Sequence, residues 1–221
     1  MVLSIGGPSH CSLEGPPSYH RCMTLTAEER ARNIKVLIFD VDGVLTDGQL
    51  FFVPQTAPDG QQYGLEVKGF TAHDGLGITL ARLGGLRVGI ITKRESATVA
   101  IRARDLRLEF VYQGQANKMD AVRDILAKAN ITLDELAYVG DDVVDLPVMR
   151  VCGLSIATAN ARLQAKAAAQ YITPNAGGHG AGRDAIDFIL AAQDKLEYAI
   201  EAFLDKDNPA AAAADIGTGK M

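Results

Sequence analysis

The stretch Ile34-Lys35-Val36-Leu37-Ile38-Phe39-Asp40-Val41-Asp42-Gly43-Val44-Leu45-Thr46 decides how this chain is read. Residues 34–39 form an apolar run broken only by Lys35. A short run of that kind, without polar alternation, predicts a strand covered on both faces, as in a parallel sheet. It stops at Asp40. Two carboxylates two residues apart, with a glycine behind them that lets the backbone turn sharply, can point from a turn into one space. Open α/β sheets bind ligands beyond the carboxyl ends of their strands, and Asp40 and Asp42 stand at such an end. A solvated acidic turn is the competing reading, and the motif alone does not separate the two.

Working outward, further strands are predicted at residues 86–91, 108–112, 136–139, 154–157 and 171–172. Helices are predicted between them at 75–83 (with Asp74 as N-cap), 95–106, 118–129, 146–151 and 161–169. In the segment 118–129, Met119, Val122, Ile125 and Leu126 share one helical face. Short strands alternating with helices predict a doubly wound parallel α/β sheet with helices on both faces. One insertion interrupts the alternation. Residues 48–53 and 62–70 read as a β-hairpin around a turn at 54–60, too small to be an independent domain. A single long helix is predicted over 184–204. The domain organisation expected is a leader at 1–30, disordered or preceding a natural start at Met23, one domain at 31–205 and a flexible tail at 206–221.

Composition removes several classes. Lys plus Arg total 22 against 27 Asp plus Glu, a net charge of −5, which argues against a nucleic-acid or polybasic membrane binder. Tryptophan is absent and aromatics make up 6%, too few for base-stacking platforms. No apolar run approaches the ~20 residues that span a bilayer. The three cysteines, Cys11, Cys22 and Cys152, form no CxxC pair. With no secretory h-region either, a reducing, cytoplasmic location is expected.

The acidic turn is not isolated. Thr92 ends the second predicted strand, Lys118 opens the helix after the third, and Asp141, Asp142 and Asp145 follow the fourth. Every one of these strand ends carries a group that binds phosphate or a hard cation. Clustered carboxylates repel one another unless a cation neutralises them. Oxygen ligands of this kind suit Mg²⁺, which keeps waters for a phosphate, and a hydroxyl and an ammonium facing it complete a phosphate pocket.

In chain order, Asp-x-Asp, Thr, Lys and Gly-Asp-Asp-x-x-Asp resemble the four motifs of the haloacid dehalogenase superfamily of phosphohydrolases. The resemblance implies a Rossmann-like core, Mg²⁺ as cofactor and an aspartyl-phosphate mechanism. Asp40 would be the nucleophile, and Asp42 the general acid and then the general base. Asp40, Asp141 and the backbone carbonyl of Asp42 would hold the metal. Thr92 and Lys118 would hold the phosphoryl oxygens. Asp142 and Asp145 would support the site from behind, Asp145 by orienting Lys118.

Longer segments narrow the resemblance. They are the run through Thr46-Asp47-Gly48, Lys68-x-Phe70-x-x-x-Asp74-Gly75-x-Gly77-Ile78, Tyr112-Gln113-Gly114-Gln115-x-Asn117-Lys118, Pro147-Val148-Met149, and Gly177-Gly178-x-Gly180-Ala181-x-Arg183. Together they resemble the 3-deoxy-D-manno-octulosonate 8-phosphate phosphatase family. That implies a small phosphorylated sugar acid as substrate, no large cap domain, a homotetramer assembled by hairpins, and a role in lipopolysaccharide biosynthesis. It also implies substrate contacts at Asp42, Thr71, Ala72, His73, Asp74, Gly75, Arg94, Arg102 and Lys118. Gly178, His179, Gly180 and Arg183 would form a lid that helps close a neighbouring subunit's site. The sequence departs from the family pattern at His73, Thr79 and Lys93.

Three alternatives stand beside this reading. One is a phosphatase for another keto-sugar acid phosphate, such as a nonulosonate 9-phosphate. Another is a phospho-receiver domain, which uses the same residue types, but with its acidic pair after the first strand and its phosphorylated Asp after the third. The last is a catalytically silent phosphatase-like domain, against which the complete residue set argues.

Overall fold

Val36, Leu37, Ile38 and Phe39 form β1 (Val36–Phe39), and all four are fully buried. β1 can be covered on both faces because it pairs in parallel with β4 (Arg87–Ile91) on one side and with β6 (Leu136–Gly140) on the other. The computed structural model describes residues 25–205, 207 and 208. β5 (Phe110–Tyr112), β7 (Leu154–Ala157) and β8 (Tyr171–Ile172) complete a parallel sheet in the order β5-β4-β1-β6-β7-β8. The strand order reverses between β1 and β6, and in doubly wound sheets that reversal opens the ligand crevice.

Helices cover both faces. Leu37 and Phe39 point into one core, with residues of α2 (Ala72–Leu83), α3 (Ala97–Asp105) and α7 (Ala181–Ala192). Val36 and Ile38 point into the other, with α4 (Lys118–Ala129), α5 (Leu146–Met149) and α6 (Leu163–Ala168). Residues 1–24 of the expected leader and 209–221 of the expected tail lie outside the described residues. Within the leader span, Thr26 closes a capping box on α1 (Ala27–Ala31), whose last residue, Ala31, opens the expected domain and joins the first core.

Three expectations need correction. The N-cap of α2 is Thr71, which accepts from the His73 amide at 3.3 Å, so Asp74 lies inside the first turn and is buried. The expected long C-terminal helix is two, α7 and α8 (Leu196–Leu204). Asp194 between them adopts φ 54°, with Asp194 N donating to the Ala191 carbonyl and Lys195 N to the Leu190 carbonyl. This is the paired closure that a left-handed residue makes at a helix end. The Gln193 side chain fixes the break by donating to the Ala31 and Ile34 carbonyls at 2.9 and 2.8 Å.

The third correction concerns the hairpin. It consists of β2 (Phe51–Thr56) and β3 (Gln62–Val67), and Pro54 sits opposite Gly64 inside the ladder, not in the turn. A proline is tolerated there because a two-stranded ribbon consists of edge strands. Phe51 faces Val67, and Val53 faces Leu65, so these four share one face of the ribbon. Each is 45–54% exposed. No helix among the described residues is long and apolar enough to cross a membrane.

Candidate active site

The turn after β1 is closed by its own backbone. The amides of Leu45 and Thr46 both donate to the Val41 carbonyl at 3.0 Å, while Asp40 N donates to Val139 of β6 at 2.9 Å. Gly43 at the tip has φ 89°, and a Cβ there would overlap the Asp141 carboxylate. Glycine is therefore required both by the conformation and by the space that brings Asp141 over the turn.

Lys118, the first residue of α4, is held by three groups. Its ammonium lies 2.9 Å from Asp40, 2.7 Å from Asp145 and 3.0 Å from the Tyr138 hydroxyl. Asp145 is fully buried. One of its oxygens accepts from Lys118 and from the Tyr138 hydroxyl at 2.7 Å; the other accepts from the amides of Asp141 and Asp142 at 2.9 and 3.2 Å. Oxygens of Asp40, Asp141 and Asp145 all lie within 4.8 Å of one another. Asp145 is already saturated by four donors, so Asp40 and Asp141 are the carboxylates with capacity to spare.

A cleft of about 340 Å³ opens above this floor, walled by Asp40, Asp42, Thr92, Lys93, Arg94, Asp141 and Asp142. Thr92 is buried at the end of β4, its amide bound to the Tyr112 carbonyl at 2.9 Å. Burial pushes the Asp40 carboxyl up to about 6, against the opposing pull of Lys118. Burial, with Asp145 and Asp40 adding to it, pushes Asp141 up to about 7. Burial works to lower the Lys118 pKa, but Asp40 and Asp145 outweigh it and the net shift is upward. No lysine or arginine among the described residues forms an ion pair with Asp141. A carboxylate cluster with Asp40 and Asp145 buried and a half-buried Asp141 free of such a pair has room for a cation.

The structure thus brings Asp40, Asp42, Thr92, Arg94, Lys118, Asp141, Asp142 and Asp145 to one end of the sheet. The other expected contacts lie elsewhere in this chain. Thr71, Ala72, His73, Asp74 and Gly75 open α2 and do not line the cleft. Asp74 accepts from the Arg183 amide at 2.8 Å, and burial pushes its carboxyl up to about 6. Arg102 packs beneath, with its guanidinium 5.8 Å from the Phe70 ring centre; burial lowers its pKa. Gly178 donates to the Val44 carbonyl at 3.0 Å, Gly180 precedes α7, and His179 Nδ1 lies 3.0 Å from the Gly177 carbonyl. The Arg183 side chain pairs with Asp187 at 2.7 Å. In its own chain this segment backs the turn after β1.

Two participants carried no sequence signal of their own. Asn160, which lines the cleft, accepts from the Gly177 amide at 2.9 Å. Lys68 reaches the Asp42 carboxylate from the foot of the hairpin. Only its place in a quoted family segment marked it, without a role.

A model of haloacid dehalogenase-like hydrolases matches residues 91–183. The chain is 42% identical to the 3-deoxy-D-manno-octulosonate 8-phosphate phosphatase of Salmonella typhi over 197 residues, covering 89% of this chain and 97% of that one. The Escherichia coli K12 enzyme of the same name is 43% identical over 170 residues, 77% of this chain and 86% of the relative. Among solved structures, the Moraxella catarrhalis phosphatase of that name, in complex with magnesium, phosphate and KDO, superposes with a TM-score of 0.72 at 37% identity. That match covers 80% of this chain and 97% of the other. The Yersinia pestis enzyme gives 0.69 at 40% identity, over 77% and 88%. Motifs, sheet order and similarity over 77–89% of the chain converge: the chain belongs to the 3-deoxy-D-manno-octulosonate 8-phosphate phosphatase family of haloacid dehalogenase-like hydrolases.

Proposed function

We propose that this protein is a Mg²⁺-dependent phosphatase that hydrolyses 3-deoxy-D-manno-octulosonate 8-phosphate. The observation that carries the reading is the buried Asp40–Lys118–Asp145 array facing Asp141 and Asp42 across one cleft. Its support is a relative solved with magnesium, phosphate and KDO.

The donor set fits Mg²⁺: hard carboxylate oxygens, with Asp141 unpaired by any cation among the described residues. Asp40, Asp141 and the Asp42 backbone carbonyl would hold it, and when bound it supplies positive charge against the phosphoryl oxygens. The chain's own residues do the rest. Thr92 and Lys118 bind the phosphoryl oxygens. An Asp40 oxygen bonds to phosphorus as the ester P–O bond breaks, and Asp42 gives its proton to the departing sugar oxygen. Asp42 then takes a proton from water, the water oxygen bonds to phosphorus, and the Asp40–phosphorus bond breaks to release inorganic phosphate. Arg94 at the rim is placed to meet the sugar-acid carboxylate.

The exposed apolar hairpin face supports a homotetramer as part of the same proposal, since a lone hairpin is marginal in water. In that assembly Thr71 to Gly75, Arg102 and the segment from Gly178 to Arg183 would complete sites they do not line in their own chain. A cytoplasmic location belongs to the same reading. The test is phosphate release across a panel of phosphorylated sugars and sugar acids, with and without Mg²⁺. The octulosonate 8-phosphate should give the highest kcat/KM, and only with metal. A nonulosonate 9-phosphate ranking first would overturn the substrate, and metal-independent turnover would overturn the mechanism.

A further inference from the structure

Two cations approach the Asp42 carboxylate, and they differ in kind. Arg94 Nε stands 3.7 Å away on a side chain that is 42% exposed. Lys68 Nζ touches the other oxygen from a side chain only 1% exposed. Lys68 immediately follows β3, in the link between the hairpin and α2. Its other ion-pair partner among the described residues is Glu66, at 3.4 Å. Glu66 is itself braced, by Arg94 at 2.8 Å and by the hydroxyl of Ser96, the N-cap of α3. An ammonium so far removed from water is tolerated only when paired. An anchor for the hairpin would need Glu66 alone. The contact with Asp42 instead reaches 26 residues back along the sequence into the cleft.

We propose that Lys68 is a positioning residue for the reaction: braced by Glu66, its ammonium holds the Asp42 carboxyl group in line with the scissile ester oxygen. This rests on the phosphatase reading and deepens it, because the hairpin then orients the acid–base group while the sheet supplies the nucleophile. Lys68 touches no reacting atom. Its loss acts through Asp42, on the proton delivered to the departing oxygen and the proton later taken from water.

That route has a signature that lost stability does not share. Among aryl phosphates, which have no sugar to bind, p-nitrophenolate departs without a proton, while the much more basic phenolate needs one. The kcat/KM covers only steps up to departure of the leaving group. Lys68→Met should therefore lower kcat/KM for phenyl phosphate by about 100-fold, within the range of general acid catalysis, and for p-nitrophenyl phosphate by less than about fivefold. Lys68→Arg should restore most of the loss. In an Asp42→Asn background, Lys68→Met should cost less than about threefold more, because residues acting as a unit are not additive. Equal losses on both esters, or a full further loss in the Asp42→Asn background, would overturn the proposal. Glu66→Gln, which keeps Lys68 in place but loosens its brace, should show the same leaving-group bias and serves if Lys68→Met does not fold; uniform loss there would overturn it equally. Failure of the unmodified enzyme to release phosphate from these esters and from octulosonate 8-phosphate alike would instead overturn the phosphatase reading.

Discussion

β1 and the β2–β3 hairpin are both rich in Val, Leu and Phe, yet they end in opposite surroundings. Val36 to Phe39 are fully buried, whereas Phe51, Phe52 and Val53 remain about half exposed, at 53%, 53% and 45%. β1 has a strand on either side and helices above and below, all from this chain. Among the described residues the hairpin strands pair only with each other. Apolar composition sets what a segment must bury; it does not say who does the covering. For β1 the answer lies inside the chain, and for the hairpin, under the proposed homotetramer, it would lie in another copy. The site is divided along the same line, with Asp40, Lys118 and Asp145 in segments that follow strands of the sheet, Glu66 on the hairpin and Lys68 at its foot.

The sharpest test of the sheet side is chemical. Asp40→Asn keeps the volume and removes the attacking oxygen, so turnover of p-nitrophenyl phosphate should fall by at least about 10⁴-fold, ~5.5 kcal/mol, with circular dichroism unchanged. A fall within tenfold would mean that the buried floor is not where the bond is made. Lys118→Met leaves Asp40 and Asp145 facing each other without their cation. Urea unfolding should show a loss of about 3–5 kcal/mol, far more than any single exposed hairpin change produces.

Asp74 gives the sheet side a pH signature. Its carboxyl is raised from 3.8 to about 6 by burial. A carboxyl raised in the folded state contributes its full stability below the unfolded value and loses it as pH climbs through the folded one. Asp74→Asn should therefore raise the unfolding free energy at pH 8, by at most about 3 kcal/mol, and give no gain at pH 4. An equal gain at both pH values would show that the charge is not the cause. The smallest effect on the fold belongs to the hairpin. Val53→Asp with Leu65→Asp puts two like charges face to face on the apolar side of the ribbon. Sedimentation should shift from tetramer to monomer, while the stability of the monomer changes by no more than about 1 kcal/mol. A tetramer that survives both changes would place the covering surface elsewhere.

The order of strands, helices and motif residues was legible because each chemical residue sits where a periodic pattern stops or starts, as Asp40 does after β1 and Lys118 does as the first residue of α4. The break at Asp194 was not, because it depends on Gln193 reaching the carbonyls of Ala31 and Ile34, about 160 residues away. Thr71 and Asp74 are both good caps by type, and only the packing of Asp74 against the Arg183 amide decides between them. Lys68 was opaque for the same reason, since a lysine beside a glutamate on a hairpin reads as a solvated pair until the fold brings Asp42 to it. The expected substrate contacts at Thr71 to Gly75 and Arg102 came from resemblance, and a single chain does not assemble them.

Gly177 presses so closely on the turn after β1 that a Cβ there would overlap the Gly43 carbonyl, and the Gly178 amide closes on Val44. During synthesis on the ribosome, the residues that make the first strand and its aspartates emerge early, but their backing arrives more than 130 positions later. Contacts this distant in sequence are late events in folding. A nascent chain stopped before residue 177 would carry Asp40 and Asp42 on an unbacked loop. Hydrolytic competence should therefore switch on only when the end of the domain has left the exit tunnel, so that a truncated product is inert and does not release phosphate indiscriminately.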